Sequence, residues 1–475
     1  MIKNSFLLLS ISAAFFVQAQ DVSTIRNTTE IYSNTNLNGS AKYQSMAGSI
    51  GALGGDVSAL NVNPAGIGVA ITGDISGTLA VQNSKNSTVL HSTKSNYSLS
   101  NVEMGNVAGV AVFELLTETP WKFLNIGVNY SSQSIEDYTE TPGNSKIVIQ
   151  KNLVDSSNNP VVGNLGFLGQ AYDRYGNQSK MSFGIGGNYA NNFYIGAGLN
   201  FHSAEIEQYD SAKLHLDLDN SVATYDKQYT PFNENSTGFS ASLGIISKIN
   251  NQFRLGGSIE TPTWWTINRS FTEYGTNSSG YIGYGNYSED RKLSTPLKAT
   301  VSAALVPNKN FAINLDYTIG VTKPRYKVYG DAETELNSFF SSNSKNMSEI
   351  KLGAEYRVKR FRLRGGYAYA SSPFDTMSIA AFNSTGQFST NSYSNLFVAS
   401  RSTLGLGIGL DFKGVYVDLG YQNVNSTYSN PSLYGNSTYG SGYYSTDFDV
   451  NSTTSVVSEV KNTKNNLYFT FGWKF

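Results

Sequence analysis

At the end of this chain, Leu467, Phe469, Phe471, Trp473 and Phe475 alternate with Asn466, Tyr468, Thr470, Gly472 and Lys474. Successive side chains of a strand point to opposite sides. One face of this segment is therefore wholly apolar and ends in aromatics, while the other is polar or small. The alternation recurs through Leu404, Leu406, Ile408, Leu410 and Phe412, through Val415, Val417, Leu419 and Tyr421, through Phe311, Ile313, Leu315 and Tyr317, and through Phe193, Ile195, Ala197, Leu199 and Phe201. Period-two patterning places strands near 73–83, 96–114, 122–137, 180–190, 193–208, 236–249, 252–273, 295–306, 310–325, 347–358, 361–370, 399–412, 414–428 and 465–475, about fourteen in all. Their connections alternate in length. Short turns fall at 115–121, 191–192, 250–251, 307–310, 359–360 and 413–414. Long connections, rich in Asn, Ser, Gly and Tyr and expected to be hydrated and mobile, fall at 138–179, 209–235, 274–294, 326–346, 371–398 and 429–464. A sandwich has no reason to lengthen every second connection, whereas a membrane barrel has short turns at one end and long loops at the other. The expected fold is all-β: a 14-stranded antiparallel transmembrane β-barrel whose apolar faces meet lipid.

The start of the chain agrees with export. A cationic Met1-Ile2-Lys3-Asn4 precedes an apolar run to Val17 and a small-residue site at Ala19, which reads as a signal peptide over 1–19. That run is too short to span a bilayer as a helix. No cysteine occurs, so disulfides, thiol chemistry and a lipid anchor at cysteine are excluded. The formal net charge of −1, with 15% charged residues, carries no basic footprint for nucleic acid. Export without membrane helices points to the outer membrane of a Gram-negative bacterium.

Between the signal and the first strand, residues 20–72 comprise a polar lead-in and a small-residue stretch, SMAGSIGALGGDVSALNVNPAGIG, at 45–68. Gly48, Gly51, Gly54 and Gly55 permit tight turns and close packing. Asp56 is placed to cap a short turn through Leu60. Pro64 stops that turn and holds Asn63 extended. The stretch is expected to be a hatch inside the barrel formed by 73–475.

No catalytic constellation is expected. The three histidines, His91, His202 and His215, stand in no Ser-His-Asp order, and there is no HExxH. Gly405, Gly407 and Gly409 share one strand face and form no nucleotide loop. No metal and no cofactor is expected; a haem site would need His or Tyr ligands, and nothing in their placement favours one. Charges expected on the lumen face are Arg254, Glu260, Asp316, Glu355, Arg357, Arg362, Arg364, Asp411 and Asp418. Of these, Arg254, Glu260, Arg357, Arg362, Arg364 and Asp411 are candidates either for a ligand head group or for ion pairs that tie the hatch to the wall. Trp473 and Phe475 are expected to form the terminus read by the barrel assembly machinery.

Hatch, barrel and terminal strand together resemble the FadL/TodX family of outer-membrane transporters for long-chain fatty acids and other hydrophobic compounds. The resemblance spans nearly the whole mature chain and is most specific at Asn63, Pro64, Ala65 and Gly66. It extends to RLGGSIETP at 254–262, IKLGAEYR at 350–357, RGGYAYASSP at 364–373 and the 403–421 segment. The style of the signal and loops is similar to Bacteroidetes-type members. The resemblance implies a monomer that admits hydrophobic small molecules or fatty acids from outside and releases them sideways into outer-membrane lipid at a kink in the third strand. No Gly or Pro within 129–137 marks that kink. Two alternatives stay open: a barrel of this kind that docks a partner in secretion or surface assembly, and a general porin-like channel.

Overall fold

The computed structural model describes residues 22–34, 38–116, 118–154, 159–276, 282–412, 414–433, 442–445, 449–450 and 454–475. The expected signal peptide lies outside them. Fourteen antiparallel wall strands close a barrel. They are β1 Asp74–Leu90, β2 Thr93–Glu114, β3 Trp121–Ser134, β4 Pro160–Tyr189, β5 Phe193–Leu216, β6 Phe232–Lys248, β7 Phe253–Glu260 continued by Trp264–Thr276, and β8 Ile282–Ser294 continued by Lys298–Asn308. Then follow β9 Phe311–Gly320, β10 Ser348–Val358, β11 Phe361–Ala370, β12 Arg401–Asp411, β13 Val415–Ser432 and β14 Val456–Lys474. Each pairs with its neighbours in the chain, and β14 pairs with β1 from Asp74↔Lys474 to Val89↔Glu459. Beyond that ladder, Gly73 N–H donates to the Phe475 carbonyl at 3.0 Å and Phe475 N–H donates back at 3.1 Å. The seam therefore involves the last residue of the chain.

The expected two-faced strands are present. Leu467, Phe469, Phe471 and Trp473 are exposed on the outer surface, while Tyr468 and Thr470 are buried in the lumen. Ile195, Leu199 and Phe201 face out against buried Tyr194 and Asn200. Leu315 and Tyr317 face out against buried Asn314 and Asp316. This apolar belt is what a wall presents to lipid.

The long connections are less loop-like than their composition suggests. Residues 160–179 prolong β4, and residues 456–464 prolong β14. A further strand, Asp137–Val154, pairs with the outer half of β4. Beyond the belt both strand faces can be polar, so the apolar alternation that marks a strand in sequence is lost there while the backbone ladder continues. In β7 and β8 the ladder breaks at Pro262 and Pro296, which lack an N–H to donate. Thr263 and Thr295 bridge the gap: Thr263 N–H donates to Thr295 Oγ1 at 2.9 Å, and Thr295 N–H to the Thr263 carbonyl at 3.1 Å. At the loop end, the helix Asp331–Asn343 buries Leu336 and Phe340 in an apolar cluster with Ile25, Ile31, Ile135, Trp265, Phe374 and Phe397. Among the described residues no helix is long and apolar enough to cross a membrane.

Candidate functional site

The hatch sits across the lumen and is built from short turns. The Asp56 carboxylate accepts from Ser58 N–H at 2.8 Å and caps a 3₁₀ turn over Val57–Asn61. Asn63 is extended, with φ −147° and ψ 107°, and caps Pro64–Val69 by accepting from Ala65 N–H at 3.1 Å. Its amide also donates to the Gly51 carbonyl at 2.8 Å and to the Ile245 carbonyl of the wall at 3.1 Å. One side chain thus closes the hatch on itself and on β6. Ala65 and Gly66 are buried behind it.

The wall meets the hatch with glycine. A Cβ at Gly196 would overlap the Pro64 carbonyl, one at Gly366 the Met46 backbone, and one at Gly405 the backbone of Gln44 and Ser45. Gly244 lies against Asn63 and Gly420 against Ala41 in the same way. On β12, Gly405 therefore lets hatch backbone lie directly on strand backbone, and Gly407 makes room for the Ser45 side chain. Replacing Asn63 and Pro64 together by Ala is expected to loosen this seat. Loss of the cap costs about 1 kcal/mol, and each buried carbonyl left without its donor costs about 1–3 kcal/mol. Raised ionic leak through single barrels in planar bilayers is the readout; an unchanged leak removes the sealing role from the motif.

Residues 22–32, which read as a polar lead-in, form a buried helical segment in the lumen on the loop side of the hatch, α-helical over Val22–Asn27 and π-helical over Thr28–Tyr32. Arg26 is fully buried. Its guanidinium meets Asp137 at 3.0 Å, donates to Tyr428 Oη at 2.9 Å and lies over the Tyr172 and Tyr428 rings at 4.6 and 4.8 Å. Burial opposes its charge, but Tyr428, Glu30, Tyr172 and Asp137 outweigh that, and its pKa lies well above the ordinary arginine value. Arg174 completes the tie, donating to Glu30 at 3.0 Å, to Asn27 at 2.9 Å and to the Ile135 carbonyl at 3.2 Å. Between this segment, the top of the hatch and the wall lies a cavity of about 220 Å³. Ile31, Ile135, Met347, Pro373 and Val398 give it an apolar side; Gln82, Glu349, Arg401 and Lys464 give it a polar one. Tyr43 stands at its floor, its phenol pushed up in pKa by burial.

The wall itself opens at the third strand. Pairing of β2 with β3 ends at Asn106↔Ser131, although β2 continues along β1 to Leu90↔Thr93. After Ser134 regular strand geometry lapses at Ile135 and Glu136, although Ile135 N–H still donates to the Gly176 carbonyl of β4 at 3.1 Å, and pairing with β4 resumes at Asp137 in the same register. No Gly or Pro lies within the segment itself, but Gly176, opposite Ile135 on β4, has a φ of 132°. Ile135 is drawn into the lumenal apolar cluster, and Asp137 is held by Arg26 and by Asn86, whose amide donates to it at 2.6 Å. Ser131 and Ser132 are both buried, so the two-faced pattern has already lapsed. The far edge of the gap is marked by Tyr97 of β2 against Tyr138, ring centroids 4.2 Å apart. A small cleft within it, lined by Leu99, Asn101, Ser134 and Glu136, shares Gln82, Ser134, Lys464 and Asn466 with the main cavity.

The sequence matches no protein-family model and no curated protein. Solved structures do match. The Ralstonia pickettii toluene transporter TbuX superposes with a TM-score of 0.54 at 13% identity, over 93% of this chain and 100% of that one. A Pseudomonas aeruginosa FadL homologue gives 0.54 at 12%, over 91% and 98%. The P. putida toluene transporter TodX gives 0.51 at 12%, over 93% and 99%. This is the FadL/TodX fold. At such identities the likeness is one of fold, of the outer-membrane barrel type, and the neighbours are transporters and channels.

Within this FadL/TodX-type barrel the charges singled out from sequence fall apart into separate places. Arg254 donates to the Leu53 carbonyl of the hatch at 3.1 Å. Asp316 accepts from the hatch amide of Gly51 at 3.2 Å. Glu260 is half-buried in the wall, 3.3 Å from Lys180 and accepting from Ser240 at 3.0 Å. Arg357, Arg362, Arg364 and Asp411 gather at the short-turn end, on the far side of the hatch from the cavity, around a chamber of about 250 Å³. There Arg364 binds Glu355 at 2.7 Å and Asp418 at 2.6 Å, and Arg362 binds Asp411 at 2.7 Å. Arg357 lies 3.8 Å from Glu355. The cations that do line the cavity are Arg174, Arg401 and Lys464. Sequence reasoning missed them because 138–179 and 429–464 read as loops and 399–401 as a strand edge. Lys464 continues the lumen parity of Asn466, Tyr468 and Thr470, which is the signal that could have found it. Arg174 and Arg401 face Glu30 and Glu349, at 3.0 and 3.6 Å; Lys464 makes no hydrogen bond or ion pair among the described residues. Trp473 and Phe475 are exposed at the short-turn rim, ring centroids 5.6 Å apart.

Proposed function

We propose that this protein is an outer-membrane channel of a Gram-negative bacterium for passive uptake of hydrophobic compounds, long-chain fatty acids among them. One observation carries the reading: the loop-side cavity, floored by the hatch, shares lining residues with the break beside β3. A water-soluble solute meets a floor that closes the direct route. An apolar ligand leaving sideways keeps its alkyl surface out of water, at about 0.8 kcal/mol per CH₂. The neighbours named as toluene transporters support hydrophobic cargo in general. For this chain, Lys464 beside the apolar wall of the cavity fits a carboxylate head group. The aromatic terminus at Trp473 and Phe475 supports recognition by the barrel assembly machinery.

The test is uptake of radiolabelled oleate and of toluene in a strain lacking its own transporter, with sugar-driven liposome swelling as a check on the hatch. Both substrates are expected to enter and swelling to be slow. Lys464→Met is expected to reduce oleate uptake roughly tenfold, as fits loss of a hydrogen bond to a charged group, and to leave toluene unchanged. A thiol pair at Leu99 and Ser134, joined by a short bis-maleimide linker, is expected to block both. Rapid swelling would make this a porin; unchanged uptake across the panel, with a large partner co-purifying, would make it a docking barrel.

A further inference from the structure

We propose that the outer surface where β8 meets the strand Arg325–Lys327 is a docking site for a phosphorylated membrane lipid. The register sets three cations there, and Lys323 lies just before them in the chain. Lys292 stands opposite Lys327, Leu293 opposite Tyr326 and Ser294 opposite Arg325. Leu293 and Tyr326 are buried in the lumenal cluster, so alternation turns Lys292, Ser294, Arg325 and Lys327 outward. Lys292, Lys323, Arg325 and Lys327 are all exposed.

Two lysines directly opposite on one face of an antiparallel pair have Cβ atoms about 5 Å apart and repel. None of the four forms an ion pair among the described residues; Lys323 donates only to the Ser341 carbonyl, at 2.5 Å. Asp290, two residues beyond Lys292 on the same face, is occupied by the Asn268 amide at 2.6 Å. The face thus concentrates positive charge, and its nearby carboxylates are Asp290 and, just past Lys327, Glu333, which accepts from Val328 N–H at 3.1 Å. It is a sector and not a girdle, because β5 presents outward Glu205 and Glu207 between buried Ala204, Ile206 and Gln208.

Its depth selects a lipid. Trp264 pairs with Ser294 and is exposed on the same surface, an aromatic at the rim of the apolar belt. Ile259, Val301 and Val321 are exposed on the belt side of it. The cations therefore begin at the belt's edge, where lipid phosphates lie. Arginine's fork and paired ammonium groups suit a phosphate monoester. Each cation at an anionic membrane surface is worth about fivefold in affinity, so three together contribute on the order of a hundredfold.

The inference rests on the belt facing a bilayer. Native mass spectrometry of the full barrel in detergent tests it, with diphosphoryl lipid A, the same lipid stripped of phosphate, and inorganic phosphate as probes. Wild type is expected to hold the diphosphoryl form, and K292Q/R325Q/K327Q to weaken it about a hundredfold. The stripped lipid should bind both chains alike, and E205Q/E207Q should change nothing. On wild type alone, added salt is expected to weaken the diphosphoryl form selectively. Equal binding by wild type and triple variant, or displacement by inorganic phosphate at the lipid's own concentration, overturns the proposal. Solubility of the unaltered barrel without detergent would instead overturn the membrane reading beneath it.

Discussion

Gly196→Val combined with Gly366→Val is expected to turn a closed barrel into an open one. The two glycines receive opposite ends of the hatch, Pro64 at one and Met46 at the other, and neither has room for a Cβ. The obstructing atoms are backbone, so no rotamer change relieves the overlap. Overpacking costs about 1–3 kcal/mol per site, which for two separated sites multiplies the unseated population roughly 30- to 10⁴-fold. Bilayer conductance and sugar-driven swelling should both rise to porin-like levels while heat-modifiable migration shows an intact wall. Gly77→Val, where a Cβ meets nothing within 4 Å, is the control and should stay closed. A double variant as tight as wild type would mean that the hatch is retained by something other than this backbone contact.

The second large effect is expected at Arg26. Removing one member of a buried ion pair strands the other and costs about 3–5 kcal/mol. Arg26→Ala leaves Asp137 with Arg174 at 3.9 Å and the Asn86 amide, and takes away its contact at 3.0 Å. The strand beyond the break is then expected to lose its inward hold. Amide exchange at residues 138–141 should accelerate on the order of a hundredfold or more, a local loss of about 3 kcal/mol, with the β1–β14 seam unchanged. Arg26→Met with Asp137→Leu removes both charges together and is expected to restore most of the protection. Exchange in Arg26→Ala equal to wild type would show that Ile135 packing alone bends the strand.

The wall was legible in the sequence because lipid demands a strict two-faced strand. Wherever that demand holds, as from Leu467 to Phe475, the residues announce the structure. Outside the belt it relaxes, and Asp137–Val154 and the outer half of β4 look like polar loop. The hatch motif was legible through cap chemistry at Asp56 and Asn63, where local rules suffice. The helical segment at 22–32 was not, since what makes it helical and buried is Arg26 meeting partners 111 and 402 residues away. The break after Ser134 escaped for a related reason: Ile135 and Asp137 are held from within, and the glycine opposite them, Gly176 with φ 132°, lies some forty residues further along the chain. Lumen parity singled out charges such as Arg364 and Asp418, which are buried, but says nothing of the end of the lumen each occupies.

The ladder joining Asp74 to Lys474, sealed by Gly73 and Phe475, has a bearing on timing. Because the first strand pairs with Val456–Lys474, this wall closes only when that late strand is in place. Met46 and Ser45 rest on strands that emerge some three hundred residues later. The backbone contacts that seat the cork at Gly366 and Gly405 therefore exist only once those late strands are in place.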